Sequence, residues 1–169
     1  MERKVKIGIS LSLSAIAAPL LLWGASWAAI SISAVGTWSE TVDQADLAGA
    51  PGSNLNTTYE SATDQVSIDI SGTVPAPPAD NWRVDVKKTD TTWHSDLHLH
   101  LKRTSDGTGP GTISGGSSYL EVTDTYAEFF GGANDRTGIY LQLKITGVSV
   151  SVPANTYSTT IYYTVVDTF

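Results

Sequence analysis

Three histidines and an aspartate stand at alternate positions in the segment WHSDLHLHL of residues 93–101. Successive side chains of a β-strand point to opposite faces, so the alternation predicts one polar face that carries His94, Asp96, His98 and His100. Imidazoles two residues apart on a strand, beside a carboxylate, can share a transition-metal ion. The pattern is equally typical of a solvent-facing strand side, because the sequence identifies no ligand on a second element.

Acidic residues in loops rich in glycine and threonine offer a second kind of ion site. They are Asp106, Asp124, Glu128 and Asp135. Calcium takes several oxygen ligands from such loops, but the sequence has no EF-hand spacing. A divalent cation is therefore the one cofactor that the sequence leaves open, and no other cofactor is expected.

Aromatic side chains could stack on a sugar or on another subunit. Trp82 and Trp93 begin predicted strands and are expected to pack in the core. Tyr140 and Tyr162 occupy the alternate positions that face away from the core. These two tyrosines are therefore the predicted contact surface.

The chain offers no recognisable catalytic constellation. No serine stands in the nucleophile elbow of a hydrolase, and among 17 Asp and Glu residues a chance pair with glycosidase spacing carries little information. The absence of cysteine excludes a thiol nucleophile, a Cys-ligated metal and any disulfide. We expect no catalytic residues and no enzymatic activity.

β-Strands are the elements that must position these side chains, because nearly every periodic signal in the chain has period two. The segments that alternate, or that are rich in β-branched and aromatic residues, are 66–70, 82–87, 97–102, 139–145, 148–152 and 158–166. Glycine and proline separate them, and the only helical signal beyond the N-terminal region is one turn at 43–47. The pattern predicts an all-β fold, a single Ig-like or jelly-roll-type β-sandwich of about 8–10 strands.

Residues 1–28 have the order of a secretory signal peptide. Three basic residues precede an apolar run at 7–23, and the small residues Ser26 and Ala28 stand at the cleavage positions. An uncleaved membrane anchor is the alternative, but the run is near the lower limit for a bilayer span. We expect cleavage after Ala28, a mature β-sandwich domain at 29–169, and no stable membrane span afterwards.

Cleavage would remove three basic residues and one acidic residue, which takes the formal net charge from −7 to −9. Nucleic acids require clustered basic residues, so they are not expected partners. The charge and the signal together predict a secreted protein at the extracellular cell surface.

The mature chain would open with a strand, because segment 29–36, AISISAVG, alternates apolar and small polar residues. This strand can pair within its own sheet as an ordinary first strand. It can also add to the open sheet of a neighbour, where main-chain hydrogen bonds give affinity and alternate side chains fill pockets. In that case Ile30, Ile32, Ala34 and Val35 form the inter-subunit strand, and the head-to-tail contact propagates into a homopolymer.

An export signal, a short alternating strand and a cysteine-free all-β domain together resemble secreted, pilin-like, fibre-forming surface proteins of the donor-strand type. Residues 150–165 likewise resemble the closing strands of fimbrial and adhesion sandwiches. The resemblance implies a structural subunit of an extracellular filament or fimbrium, assembled by exchange of the N-terminal strand. The chain departs from chaperone–usher pilins, because Thr156 and Thr168 stand where those proteins carry a glycine and a penultimate aromatic residue, and because it has no disulfide.

Two other functions remain open from the sequence. One is a monomeric surface or adhesion module that binds carbohydrate or cell-wall polymer through exposed aromatic residues. The other is a secreted hydrolase, which the lack of a catalytic constellation makes the weaker of the two.

Overall fold

The computed structural model describes residues 30–50, 52–74 and 79–168, and the course of the backbone at 5–11. The predicted cleavage site after Ala28, and Ala29 at the start of the predicted inter-subunit strand, lie outside the described residues.

The described part of the chain forms twelve β-strands and one 3-10 turn. The strands are β1 (Val5–Leu11), β2 (Ser31–Val35), β3 (Trp38–Val42), β4 (Thr58–Glu60), β5 (Val66–Ser71), β6 (Asn81–Thr92), β7 (His98–Arg103), β8 (Ile113–Gly115), β9 (Leu120–Glu121), β10 (Ala127–Ala133), β11 (Arg136–Thr146) and β12 (Thr156–Asp167). The 3-10 turn is Gln44–Asp46, and Asp43 caps it by accepting from the Ala45 amide at 2.8 Å. The predicted turn at 43–47 is confirmed.

The strands form two sheets that pack face to face, which confirms the predicted all-β sandwich. Sheet A has the strand order β3-β1-β12-β6-β10-β8. Sheet B has the order β2-β5-β11-β7-β9, and β4 also pairs with β11. All pairings between described strands are antiparallel except the one between β1 and β12, which is parallel.

The core lies between the sheets and follows the period-two pattern of the sequence, because alternate residues of each strand face the opposite sheet. β11 contributes Ile139, Leu141, Leu143 and Ile145, each fully buried. The core residues of other strands include Val66, Ile68, Ile70, Trp82, Val84, Val86, Leu99, Leu101, Phe130, Tyr157, Ile161 and Tyr163. Trp93 packs against this cluster and donates its indole N–H to the Leu97 carbonyl at 2.7 Å.

One predicted strand is wrong. The segment 148–152 alternates valine and serine but forms a turn, in which the Val152 amide donates to the Ser149 carbonyl at 3.1 Å. Gly147 ends β11 with a φ of 83°, a left-handed conformation that glycine adopts without strain. Val148 and Val152 are buried at the two ends of the turn while Val150 is exposed, so this alternation reflects the two ends of a loop packing on the core.

β1 is the main departure from the sequence analysis. The segment Val5–Leu11 lies within the predicted signal peptide, yet it forms a strand in the interior of sheet A. It pairs with β3 on one side and with β12 on the other. No helix in the described ranges is long and apolar enough to span a membrane.

Candidate functional site

The strand position between β3 and β12, which we call the β3–β12 slot, is filled by β1 and lined by core residues. Ile7, Ile9 and Leu11 lie opposite Tyr157, Thr159 and Ile161 of β12. All three of these β12 residues are buried. The slot therefore faces the centre of the sandwich along the first half of β12.

The other wall of the slot is equally apolar. Val5 lies opposite Val42 and Ile9 lies opposite Trp38, and both of these β3 residues are buried. Without a strand in the slot, the backbone groups of β3 and β12 that now pair with β1 would lose their partners. Unpaired buried backbone groups are rare in native proteins because they carry a large desolvation penalty.

β2 is the strand predicted to act between subunits, and it lies at the edge of sheet B. It pairs with β5 alone, in an antiparallel register that places Ser31 opposite Ser71 and Ile32 opposite Ile70. The hydroxyl oxygens of Ser31 and Ser71 are 2.9 Å apart. The prediction left pairing within the chain and pairing between chains open, and here one side of β2 pairs within the chain.

The four predicted inter-subunit residues differ in burial. Ile32 is buried, and Ile30 and Ala34 pack partly against the core. Val35 is 70% exposed and points out of the sandwich at the end of the strand. Three of the four therefore share the apolar face that the alternation predicted, and Val35 lies on the opposite face.

A sharp corner connects β2 in sheet B to β3 in sheet A, and only Gly36 and Thr37 form it. Gly36 has a φ of 154°, and a Cβ atom there would clash with the Gln65 carbonyl oxygen and lie 2.8 Å from the Val66 Cα. The Gln65 side-chain amide donates to the Thr37 carbonyl. The corner thus depends on glycine because the chain passes so close to the start of β5.

The four predicted metal ligands do not form one cluster, although His94 Nδ1 lies 3.8 Å from an Asp96 carboxylate oxygen. β7 begins at His98, so only His98 and His100 belong to a strand, and His94 and Asp96 lie in the preceding turn. This part of the prediction is wrong because the Leu97 amide donates to the His94 carbonyl and closes the turn before the strand starts. Among the described residues, no group of three or more His, Asp or Glu side chains is arranged to hold a metal ion.

The two strand histidines instead have ordinary polar partners. His98 Nδ1 lies 2.6 Å from a Glu121 carboxylate oxygen, and this hydrogen bond lowers the pKa of Glu121 below its usual value. His100 Nε2 lies 3.2 Å from the Thr146 hydroxyl. Burial, together with the nearby charge of Lys144, lowers the pKa of His100. The polar face of β7 therefore matches the alternative interpretation of a solvent-facing strand side.

Of the acidic residues proposed for calcium, Glu128 belongs to strand β10, whereas Asp106 and Asp135 have separate partners. Asp106 contacts Arg103, and Asp135 accepts from the Thr73 amide at 2.9 Å and from the Thr73 hydroxyl at 2.6 Å. The hydrogen bonds from Thr73 lower the pKa of Asp135. These carboxylates are therefore engaged in holding loops.

The structure does not bring Tyr140 and Tyr162 together. Tyr140 belongs to β11 of sheet B and is 41% exposed, whereas Tyr162 belongs to β12 of sheet A. Each lies on the outer side of its own sheet, so the sandwich separates them. Tyr162 is half-buried, with the Lys87 ammonium 5.6 Å from its ring centroid. They form two surfaces and not the single predicted one.

A second tyrosine site on sheet B was not singled out by the sequence analysis. The Lys144 ammonium lies 3.7 Å from the Tyr119 ring centroid and the Lys102 ammonium 4.6 Å from it. Burial and the Glu60 carboxylate raise the pKa of Tyr119 to about 12. No periodic signal marks Tyr119, because it lies in a loop between β8 and β9.

A depression beside β10 is a further concave site among the described residues. Polar residues at its rim include Arg83, Ser114 and Glu128. Its aromatic residues are buried, with Trp82 and Phe130 each 1% exposed, so they present no face for stacking on a sugar.

The slot is the feature that sequence reasoning missed, although the period-two segment VKIGISL at 5–11 was a signal for it. A basic start and an apolar run also fit a leader, so the alternation at 5–11 was not interpreted as a strand. No protein-family model matches the chain, and neither a curated protein nor a solved structure is detectably similar to it.

Proposed function

We propose that the mature chain is a structural subunit of an extracellular filament, in which the N-terminal strand of one copy completes a sheet of the next. The supporting observation is that Val5–Leu11, which the predicted cleavage would remove, lies between two strands of sheet A. Neighbouring strands are about 4.8 Å apart, so its loss leaves β3 and β12 separated by roughly 10 Å, twice the usual spacing, with room for one strand between them.

Such a gap requires a replacement strand. The buried residues Trp38, Val42, Tyr157 and Ile161 line it, and exposing them to water is unfavourable by about 25 cal/mol per Å² of apolar surface. The unpaired edges of β3 and β12 are at the same time a template for strand addition. A segment that supplies both apolar side chains and main-chain hydrogen bonds is the occupant that fits.

The mature N-terminus carries a segment of that kind. Residues Ile30–Val35 alternate apolar and serine residues up to Ala34, and in the described structure β2 pairs on one side only. Cleavage after Ala28 would leave this strand at the chain terminus, attached through the Gly36–Thr37 corner. A strand attached at one end can leave β5 and reach a second copy.

The geometry of such a contact is head to tail, because the donor strand and the slot are different surfaces of the subunit. A heterologous contact of this kind forms an open filament when its rotation does not close into a ring. The proposal needs neither a cofactor nor a catalytic residue, and it places the protein at the cell surface. Its partner is a second copy of the chain.

A reversible covalent lock on β2 tests the proposal. The chain has no cysteine, so Ser31→Cys with Ser71→Cys creates a single disulfide between residues that lie directly opposite each other. The two hydroxyl oxygens are already in contact, which is compatible with disulfide geometry. The full chain, with its native leader, is expressed in a host that secretes it. Mass spectrometry then establishes the N-terminus of the secreted protein.

We expect the oxidised variant to remain monomeric in gel filtration and to show no filaments by negative-stain microscopy. Reduction should release β2 and start filament growth, while reductant should not change the wild-type chain. Filaments formed by the oxidised variant would show that β2 is not the donor. A mature wild-type chain that stays monomeric at high concentration would refute the filament and leave the glycan-binding surface module, with Tyr140 among its exposed aromatic residues.

A further inference from the structure

Resting on the proposed filament function, we propose that Val5–Leu11 is a built-in placeholder, which fills the β3–β12 slot until cleavage and is then replaced by Ile30–Ala34 of another copy. The export leader would thus have a second role, because it prevents subunits from polymerising before they mature. The regulated site is the slot, and the signal that opens it is the cut after Ala28.

The two segments are alike in sequence. Ile7–Leu11 reads IGISL and Ile30–Ala34 reads ISISA. Three of the five positions are identical, and the other two exchange glycine for serine and leucine for alanine. A segment with this pattern presents its apolar residues at every second position, as the slot requires.

The pairing of β1 sets the direction and register that a replacement strand would follow. β1 runs parallel to β12 and antiparallel to β3. Substituting residue for residue places Ile30, Ile32 and Ala34 at the positions of Ile7, Ile9 and Leu11. The donor residues would then lie opposite Tyr157, Thr159 and Ile161, which face the core.

The corner at Gly36 disfavours the simplest way of filling the slot within one chain. A hairpin with Gly36–Thr37 as its loop would place Val35 opposite Trp38 and Ser33 opposite Glu40. β1 instead places Ile9 opposite Trp38 and Ile7 opposite Glu40. The tight hairpin would therefore put Ser33 at the position of Ile7 and turn Ile32 and Ala34 to the other face, since a shift of one residue reverses every side chain. A donor from another copy has no such constraint.

Mass action explains why the leader holds the slot first. A strand tethered to its own domain has an effective concentration on the order of millimolar, far above that of free subunits at micromolar concentration. Cleavage converts the leader into a separate peptide that dilutes away. The balance then shifts to the N-terminal strands of neighbouring copies, which stay concentrated as the filament grows.

The test uses the full chain with a site-specific protease sequence in place of residues 24–28. Gly8→Cys with Ser39→Cys then ties the leader strand to β3, because these residues lie opposite each other and Ser39 is exposed to reductant. Light scattering follows assembly of the uncleaved chain, the cleaved oxidised chain and the cleaved reduced chain. Gly8→Cys alone, treated in the same way, is the matched control.

We expect growth only after both cleavage and reduction, with the locked chain slower by about 100-fold or more at micromolar concentration. Equal growth of the cleaved oxidised and cleaved reduced chains would overturn the placeholder and leave the filament intact. Equal growth of the uncleaved and cleaved chains would also overturn the placeholder and leave the filament intact. A cleaved, reduced chain that never assembles would instead overturn the proposed function.

A synthetic peptide of residues 5–11 gives a second readout that does not depend on the cysteine variant folding. Added to the cleaved chain without cysteines, it should refill the slot and slow growth in proportion to its concentration. A peptide of the same composition with its alternation scrambled should have no effect. Equal inhibition by both peptides, or by neither, would contradict the placeholder.

Discussion

β1 and β2 have closely similar sequences but occupy opposite kinds of position. β1 lies inside sheet A with a partner on each side, and β2 lies at the edge of sheet B with one partner. The pairing of β1 with β12 is also the one parallel pairing among the described strands. The comparison shows that an alternating apolar pattern alone does not determine where a segment lies, because one such segment is an interior strand and the other an edge strand.

The position of each strand decides what its removal would do. An edge strand leaves a sheet that is one strand narrower but continuous, whereas an interior strand leaves a gap with two unpaired edges. The interior strand is the one that lies within the predicted leader. This difference is why the proposed function places the acceptor in sheet A and the donor in sheet B.

The largest effect should follow from Gly8→Pro in the uncleaved chain. Proline removes a main-chain donor, and in an interior strand it disrupts the ladder on which β3 and β12 depend. We expect the free energy of unfolding to fall by about 3 kcal/mol or more, measured by urea denaturation. Gly8→Ala keeps the amide and is the control, and equal stability of the two variants would contradict an interior position for this strand.

The second prediction concerns the corner, where Gly36→Val should affect stability and assembly in opposite ways. The new side chain would clash with the backbone of Gln65 and Val66, so we expect a loss of about 2–3 kcal/mol in the uncleaved chain. Detachment of β2 should speed filament growth after cleavage. Gly49→Ala is the control, because its Cβ would meet only ordinary contacts, the nearest at 3.5 Å. Slower assembly of Gly36→Val would argue against β2 as the mobile strand.

A third, smaller effect separates the two faces of β2. Ile32 is buried and Ser33 is exposed, so Ile32→Ala should lower the free energy of unfolding by about 2 kcal/mol and Ser33→Ala by less than about 0.5 kcal/mol. Filament growth should likewise be slowed more by Ile32→Ala than by Ser33→Ala, since Ile32 would also be buried in the slot. Equal assembly rates for the two variants would show that the apolar face of β2 is not the one inserted.

The smallest effect is a pH dependence confined to sheet B. The pKa of His100 is depressed by burial and by Lys144, while Glu121 opposes this effect and His98 adds to it. The unfolded chain therefore takes up a proton more readily than the folded one. The stability contributed by the neutral imidazole is complete above the unfolded pKa near 6.5 and is lost as the pH falls towards the folded pKa.

Hydrogen exchange at pH 7 and pH 5 can locate this effect. Amide protection in β7 and β9 should fall on acidification, and His100→Asn should reduce the change. The pKa of Glu121 is also depressed, by its hydrogen bond to His98, so its contribution is lost at still lower pH and in the same direction. Loss of protection in β12 instead of β7 would contradict the assignment to sheet B.

Much of the fold could be predicted because burial follows the strand period. Leu99 and Leu101 are in the core and His98 and His100 are on the other face of β7, as the alternation indicates. The alternation also predicted that this strand begins at His94, and the pattern alone could not show that it begins later. The turn at residues 94–97 depends on a hydrogen bond from the Leu97 amide to the His94 carbonyl. The sequence pattern does not indicate which backbone groups pair in this way.

The pairing between residues that are distant in the sequence could not be predicted. Tyr140 and Tyr162 follow the same outward pattern, yet strand order puts them on opposite sides of the sandwich. The segment 148–152 alternates like a strand, but Gly147 turns it out of the sheet. Periodicity specifies which face of a strand is apolar, and it contains no information about the neighbour that the strand will find.

The amino-acid sequence by itself predicted an all-β sandwich, because alternate apolar residues give each strand one apolar face that a second layer of strands must cover. It also determined that no disulfide contributes, since the chain has no cysteine. Only the tertiary structure decided that Val5–Leu11 fills an interior position and Ser31–Val35 an edge. The physical reason is that main-chain hydrogen bonds are the same for every residue, so partner and register are selected by the shape of the assembled core.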